Sequence, residues 1–523
     1  MSTIDSALLF ISLGITVLFF AYGFNIFYMI RLSRKYRAPP AVFSAKPTVA
    51  IHLPIFNERY VAERLLEACV KTAREYGKEK VRISVLDDSD DETTTVLQRE
   101  AESYRSAGFN VDIRHRSVRT GFKAGALNEA LKETAEDFIV VFDSDFLPRK
   151  DFLDRAVAYA ASDDRIGVVQ FRWSYTNRNY NWTTKAVSIG MDAHFMIEQA
   201  ARCAGGLFLN FNGSAGILRT RALRESGGWQ ADTLAEDLDA SYRMQMLHYR
   251  IAYVYDDVPC EIPPTVASFK RQQARWARGS LQVAKKTLPK LLTDKTVTLR
   301  QKFEALVHLT YYAVHPLMYA SFLLAATAAI LNVDAIKVVL PTAQQIGSIG
   351  QGGLSSITWW GSLWTIFATS ILLCTMAAWV YYIVAMRMQH ISVLKNWRSL
   401  LALGFLGYGI SVNNTVEAAK ALLLRGSGVF KRTPKYAIVG GQGTWKDKKY
   451  QVPLDWTAAL EAFSIALALV AIAKAIDFGN YGIVGILGVY ASAYVFVSAT
   501  TIRQRGEENA RRPVAPLVAA PQP

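Results

Sequence analysis

Cysteine is scarce in this chain: four residues in 523, Cys69, Cys203, Cys260 and Cys374, scattered without paired or metal-ligand spacing. A disulfide scaffold is thereby excluded, and the thiols read as reduced and structural. Acids are also short, 44 Asp and Glu against 59 Lys and Arg, for a formal net charge of +15. RNP, helix-turn-helix and finger patterns are missing, so the basic excess points to no nucleic-acid partner. What is present is oil: 51% of the residues are apolar, which excludes disorder. Charge is nearly missing from several windows of about 20 residues, the length of a membrane-crossing helix, and concentrated between them. The chain is also too long for one ordinary soluble domain. This is the composition of a membrane protein with a large aqueous domain, its Lys and Arg held on the cytoplasmic side.

The first apolar run, 7–29, is too long for a signal-peptide core and has no upstream basic residue or small-residue cleavage site. It predicts a retained transmembrane helix within residues 1–32. Arg31, Arg34, Lys35 and Arg37 follow at once, placing the N-terminus outside and the next segment in the cytoplasm. Further spans are predicted at 303–331 and 360–386, joined by an outside loop whose only basic residue is Lys337, and at 456–476 and 481–501. Arg503, Arg505, Arg511 and Arg512 then keep a Pro/Ala-rich, disordered tail, 502–523, inside. Residues 399–424 are long enough to cross, but basic side chains flank both ends, Arg387, Lys395 and Arg398 before and Arg425, Lys431, Arg432 and Lys435 after. Residues 394–424 are therefore predicted to lie in the inner interface as an amphipathic helix, leaving five spans. The expected location is the plasma (inner) membrane.

Between residues 46 and 265 the pattern changes to short apolar runs alternating with helical stretches: 48–56, 81–88, 111–115, 138–145 and 166–173. That alternation predicts an α/β domain around a mostly parallel sheet, with ligands beyond the carboxyl ends of the strands. Two runs end in acids at that edge, Asp87-Asp88-Ser89-Asp90-Asp91 and Asp143-Ser144-Asp145. Clustered carboxylates raise one another's pKa unless a cation offsets them. Asp143 and Asp145 have the spacing to present oxygens to a hard ion such as Mg²⁺ or Mn²⁺ that keeps positions open for phosphate. Alone, D-x-D marks only a polar turn after a buried strand.

Two further groups add context. Glu236-Asp237-Leu238-Asp239 precedes an apolar helix; either Asp237 or Glu236 can serve as the base that deprotonates an attacking hydroxyl, although acids at a helix N-terminus are also favoured by its dipole. Gln272, Arg275 and Trp276 lie on a basic amphipathic segment, 266–300, where Arg offers a fork for pyrophosphate and Trp a flat surface for a sugar.

In this order, Asp87-Asp88, Asp143-x-Asp145, Glu236-Asp237 and Gln272-x-x-Arg275-Trp276 resemble the four-part signature of the membrane-embedded, inverting family 2 glycosyltransferases that include cellulose, chitin and hyaluronan synthases. The phrases around Lys123, Asp143 and Phe211-Asn212-Gly213-Ser214 look most like cellulose synthase-like mannan and glucan synthases and their bacterial relatives. Phe430-Lys431-Arg432-Thr433-Pro434-Lys435 is similar to the F-x-V-T-x-K gating loop of cellulose synthases, with Arg432 in place of Val. The resemblance implies a GT-A domain inserted between transmembrane helices. It implies that Asp88, supported by Asp87, contacts the nucleoside; that Lys123, Arg275 and Gln272 serve the diphosphate; and that Asp145 with Asp143 holds Mg²⁺ or Mn²⁺. Asp237, beside Glu236, would be the general base, and Trp276, with Phe211, Asn212 and Gly213, would meet the acceptor. Phe430, Arg432, Thr433 and Lys435, within a loop at 425–452, would close over the donor. The implied activity is transfer of a hexose from UDP-glucose or GDP-mannose to a growing β-linked polysaccharide with coupled export, the alternative being a less processive enzyme making a membrane glycolipid. Partners implied are the nucleotide-sugar, the polysaccharide or glycolipid acceptor, the bilayer and accessory export proteins. Ala235 replaces the Thr common before Glu-Asp, and Phe211-Asn212-Gly213-Ser214 departs from the cellulose synthase phrase.

Overall fold

A computed structural model describes residues 3–42, 46–332, 376–424, 426–450, 452–453 and 455–509. Seven strands form one sheet: β1 (Val49–Ile55), β2 (Val81–Asp87), β3 (Asn110–His115), β4 (Phe138–Val141), β5 (Ile166–Tyr175), β6 (Gly216–Arg219) and β7 (Arg250–Cys260), in the order β3-β2-β1-β4-β6-β5-β7. β6 pairs antiparallel with β4 and β5, and every other pairing is parallel. The expected GT-A domain with a mixed, mostly parallel sheet is therefore present. The runs are nearly continuous in Val, Ile, Leu and Phe because both faces of the sheet are covered. One face packs Val49, Ile51, Val140 and Val169 against the Ala62–Tyr76 and Phe152–Ala160 helices. The other packs Ile139, Val141, Val168 and Leu218 against the Phe122–Glu133 and Glu236–Met246 helices. Because β1, β2, β4, β5 and β7 point the same way, Glu58, Asp88, Asp143, Asp145 and Glu261 gather at one sheet edge.

Four helices are long and apolar enough to cross a membrane: Phe10–Ser33, Tyr311–Ile330, Thr457–Asp477 and Tyr481–Glu507. They answer four of the five predicted spans. The third, 360–386, lies largely outside the described residues; its described end forms the apolar helix Met376–Met388. Phe24, Phe463, Leu469 and Val489 project outward, as lipid-facing side chains do, while Phe322, Ala468, Ala471 and Leu487 pack the bundle.

Three boundaries differ from expectation. The span predicted from residue 303 starts at 311, because Leu299–Leu309 is a separate helix capped by Thr298 and carrying Glu304, whose two oxygens accept from Asn25 at 2.8 and 2.9 Å. The single helix expected over 394–424 is two, Trp397–Gly409 and Ser411–Leu423, of 13 residues each. At about 1.5 Å per residue neither alone reaches across a hydrocarbon core of about 30 Å. The tail expected to be disordered from 502 remains helical to Asn509, where Glu507 pairs with Arg503 and Lys446 at 3.3 and 2.7 Å.

Candidate active site

Each acid motif is delivered by a strand or helix end. Asp87, the last residue of β2, is fully buried and accepts from Ser89 N–H, from the Thr94 hydroxyl at 2.6 Å and from His115 Nδ1 at 3.0 Å, so it supports the loop rather than facing a ligand. Asp88 is held by the Arg116 fork, Nε to Oδ1 at 2.7 Å and Nη2 to Oδ2 at 2.8 Å. Arg116 had no motif to mark it in the sequence, yet it is the side chain that orients Asp88.

Beyond β4, Asp143 accepts from Lys123 Nζ at 2.7 Å, and Asp145 accepts from Lys435 Nζ at 2.8 Å and from the Glu261 N–H at 3.0 Å. Burial alone would lower Lys123, but the carboxylates of Asp143, Glu236 and Asp237 outweigh it and raise its pKa. Lys123 also donates to the Gly213 carbonyl at 3.0 Å and lies 3.6 Å from Glu236. Gly213 sits at φ +78°, and a Cβ there would lie 2.6 Å from Asp237 Oδ2, so only glycine fits.

Asp237 opens the Glu236–Met246 helix and accepts from Leu238 N–H at 2.8 Å. Burial and the adjacent Glu236 carboxylate push its carboxyl up to about 7, against the opposing charges of Lys123 and Arg275. A carboxylate so placed is matched to take a proton near neutral pH. Gln272, Arg275 and Trp276 ride on the long Val266–Thr293 helix, capped by the Thr265 hydroxyl. That helix closes onto the site at Gly279, where a Cβ would lie 2.8 Å from the Ala235 Cβ; the small residue at 235 is part of this close contact.

A cleft of ≈ 130 Å³ collects Asp88, Lys123, Asp143, Asp145, Asn212, Glu236, Asp237, Gln272, Arg275, Trp276, Phe430, Arg432, Thr433 and Lys435. Arg275 Nε has no hydrogen-bond partner among the described residues, and its guanidinium lies 4.9 Å from the Phe430 ring centroid. Arg432 reaches to 3.5 Å from Glu58 and stacks 4.2 Å over Tyr450. Phe211 is a correction: its side chain is 1% exposed and packs in the core against Gly216 and beside Trp229, because its apolar ring is buried among the apolar side chains on that face of the sheet instead of facing the cleft.

A second cavity, ≈ 450 Å³, meets the cleft at Trp173, Met191, Asn212, Asp237 and Trp276 and continues among the helices past Tyr311, Tyr312, Trp379, Tyr381, Tyr408 and Tyr490. Its mouth carries a polar network that the sequence did not advertise: His194 Nδ1 to Glu198 at 3.0 Å, Arg202 Nε to Glu198 at 3.0 Å, and His194 Nε2 to Asn212 at 3.0 Å. His194 begins a π-helical turn, His194–Gln199, a local widening that often marks function.

Asp143 and Asp145 are hard oxygen donors, and no group of three or more His, Cys, Asp or Glu side chains suited to a metal occurs among the described residues. A two-carboxylate set fits Mg²⁺ or Mn²⁺, which complete their shell with phosphate oxygens and water.

The chain is similar to known glycosyltransferases. Residues 50–225 match the Glycosyl transferase family 2 description and residues 138–386 match Glycosyl transferase family group 2. Glucomannan 4-beta-mannosyltransferase 9 of Arabidopsis thaliana is 35% identical over 273 residues, 51% of this chain and 50% of that protein. Probable glucomannan 4-beta-mannosyltransferase 7 of Oryza sativa subsp. japonica is 36% identical over 262 residues, 49% of this chain and 44% of that protein. The chain thus spans about half the length of the curated relatives it matches. Among solved structures, a mannosyltransferase from Pyrobaculum calidifontis in complex with GDP-Man and Mn²⁺ aligns at 20% identity and a TM-score of 0.48, over 71% of this chain and 98% of that one. By its sequence matches and its ordered acid motifs, the chain is similar to the family 2 glycosyltransferases over residues 50–386, and to the plant glucomannan mannosyltransferases among its curated relatives.

Proposed function

We propose that this enzyme transfers mannose from GDP-mannose, with inversion, to the end of a β-1,4-linked polysaccharide and passes the lengthening chain outward. The observation that carries the reading is the meeting of cleft and cavity at Asp237 and Trp276. Charge needed for a nucleoside diphosphate lies on one side of that point and aromatic surface suited to sugar rings on the other. The choice of mannose follows the activity named for the plant relatives.

In this mechanism Lys123 and Arg275 bind the diphosphate, and Asp88 orients the nucleoside. Trp276 stacks beneath the terminal acceptor sugar, and Asp237 takes the proton of its attacking hydroxyl. The hydroxyl oxygen forms the new bond to the anomeric carbon as the bond to the diphosphate breaks, which inverts the centre. Asp143 and Asp145 would hold a divalent ion, whose chemistry there is to neutralise the departing diphosphate. Phe430, Thr433 and Lys435 cover the cleft and exclude water. Arg31, Arg34, Lys35 and Arg37 support an orientation with the sheet domain in the cytoplasm and the N-terminus outside, in the inner membrane.

Purified protein incubated separately with labelled GDP-mannose and UDP-glucose tests the reading. Consumption of GDP-mannose with a β-1,4-linked polymer as product is expected. Product found only as chloroform-soluble glycolipid would overturn it.

A further inference from the structure

We propose that Glu261 is the positioning residue that seats the 430–438 loop over the cleft, acting through the loop and not on the sugar; the role rests on the donor-cleft reading above. Glu261 follows directly on β7, so the sheet delivers it to the same edge as Asp145, and it is 2% exposed. Every polar group it owns is used. Its N–H donates to Asp145 Oδ2 at 3.0 Å, and its carbonyl accepts from Lys435 Nζ at 3.0 Å. Its Oε1 accepts from the Tyr436 N–H at 2.9 Å, and its Oε2 from the Ile438 N–H at 3.1 Å, with Arg64 Nη2 at 3.4 Å. One residue thus ties the D-x-D carboxylate to both the lysine and the backbone of the loop.

The arrangement has a direction. A buried carboxylate is costly unless its oxygens are satisfied, and two of the donors that satisfy this one are backbone groups of the loop itself. Lifting the loop takes both N–H groups and the Lys435 contact away and leaves Arg64. Lowering it restores all of them. Other ties hold single points of the loop: Lys435 Nζ to Asp145 Oδ2 at 2.8 Å, Arg275 over the Phe430 ring at 4.9 Å, Arg432 at 3.5 Å from Glu58, and Thr176 to the Gly440 N–H at 2.7 Å and the Ile438 carbonyl at 3.1 Å, whereas Glu261 takes two successive backbone donors and the lysine. No motif in the sequence marks Glu261, because its partners are about 175 positions further along the chain, Tyr436 and Ile438.

Limited trypsin digestion of the full-length protein in detergent, without donor, tests this, because Lys431, Arg432 and Lys435 lie within the loop. Cutting there reports how often the loop lifts. Glu261→Ala is expected to speed cutting at these sites by about tenfold, with Glu261→Gln between it and wild type since one amide oxygen still accepts. Cutting elsewhere and the melting temperature should stay close to wild type. With GDP-mannose, the same variants should hydrolyse more donor per sugar transferred and raise the donor KM more than they lower kcat, a split that a merely structural role would not produce. If Glu261→Ala fails to fold, Glu261→Gln, which keeps the side chain's shape and one accepting oxygen, carries the test. Unchanged loop cutting in the folded variants would overturn the proposal. Faster cutting in a protein that consumes no nucleotide-sugar would instead sustain the seat and sink the donor-cleft reading.

Discussion

The cleft and the cavity share five lining residues, Trp173, Met191, Asn212, Asp237 and Trp276, but are built from opposite materials. The cleft is lined by five cations, Arg119, Lys123, Arg275, Arg432 and Lys435, and seven carboxylates, Glu58, Asp88, Asp143, Asp145, Glu236, Asp237 and Glu261. Past Asp237, the cavity's charged pair is Glu198 with Arg202, which neutralise each other at 3.0 Å, and most of the rest is Tyr, Trp, Gly and aliphatic surface. Fixed charge in a partly buried site suits a ligand that carries charge and must be held in one register. Aromatic faces offer contact with little directional preference, which suits a neutral chain that must move. Under the proposed function, binding and chemistry fall on one side of Trp276 and passage of the product on the other.

The comparison can be broken at its hinge. Asp237→Asn should lower kcat by about 10²- to 10⁴-fold, the usual worth of a general base, with donor binding retained in calorimetry. A similar size of effect, but on stability, is expected at a residue the cleft does not own: Phe211→Ala should cost about 3–5 kcal/mol in denaturant unfolding while leaving acceptor KM unaltered in whatever fraction stays folded. Arg275→Ala should raise the donor KM about 10- to 100-fold, the range for losing hydrogen bonds to a charged partner, and leave acceptor KM alone.

The pH profile sharpens the same point. Because Asp237 is raised to about 7, its proton is still bound below that pH, so kcat should climb about tenfold per unit on the acid side and level above neutrality. Glu58 is also pushed up to about 7, by burial opposed by Arg432. Glu58→Gln should leave the acid limb of kcat in place, since Glu58 is not the base. The smallest effect belongs to the cavity: Trp379→Ala should shorten the product a few-fold on gel filtration, because one stacking surface worth about 0.5–1.5 kcal/mol is lost, while the rate of single-sugar addition holds.

Much of this was legible in the sequence for a physical reason. Strand-end acids follow directly on unbroken apolar runs, so Asp88, Asp143 and Asp145 could be placed at one sheet edge from periodicity alone. Gln272, Arg275 and Trp276 fall on one long helix, where spacing predicts a shared face. What escaped was set by contacts between distant segments. Arg116 and Glu261 are ordinary in sequence and acquire their roles by meeting Asp88 and the 430–438 loop. The strands β6 and β7 escaped as well, β6 because four residues make no period. Phe211 misled because a motif fixes which residues are adjacent in sequence, and not which of them faces the cleft.

The central claim is that sugar added in the cleft leaves through the cavity. Its most direct measurement uses sealed vesicles holding the full-length protein with the sheet domain outward, given labelled GDP-mannose on the outside only, and then treated with an endo-β-mannanase that cannot cross the bilayer. The account predicts labelled polymer that resists digestion until detergent opens the vesicles. Polymer digested completely in intact vesicles would contradict it.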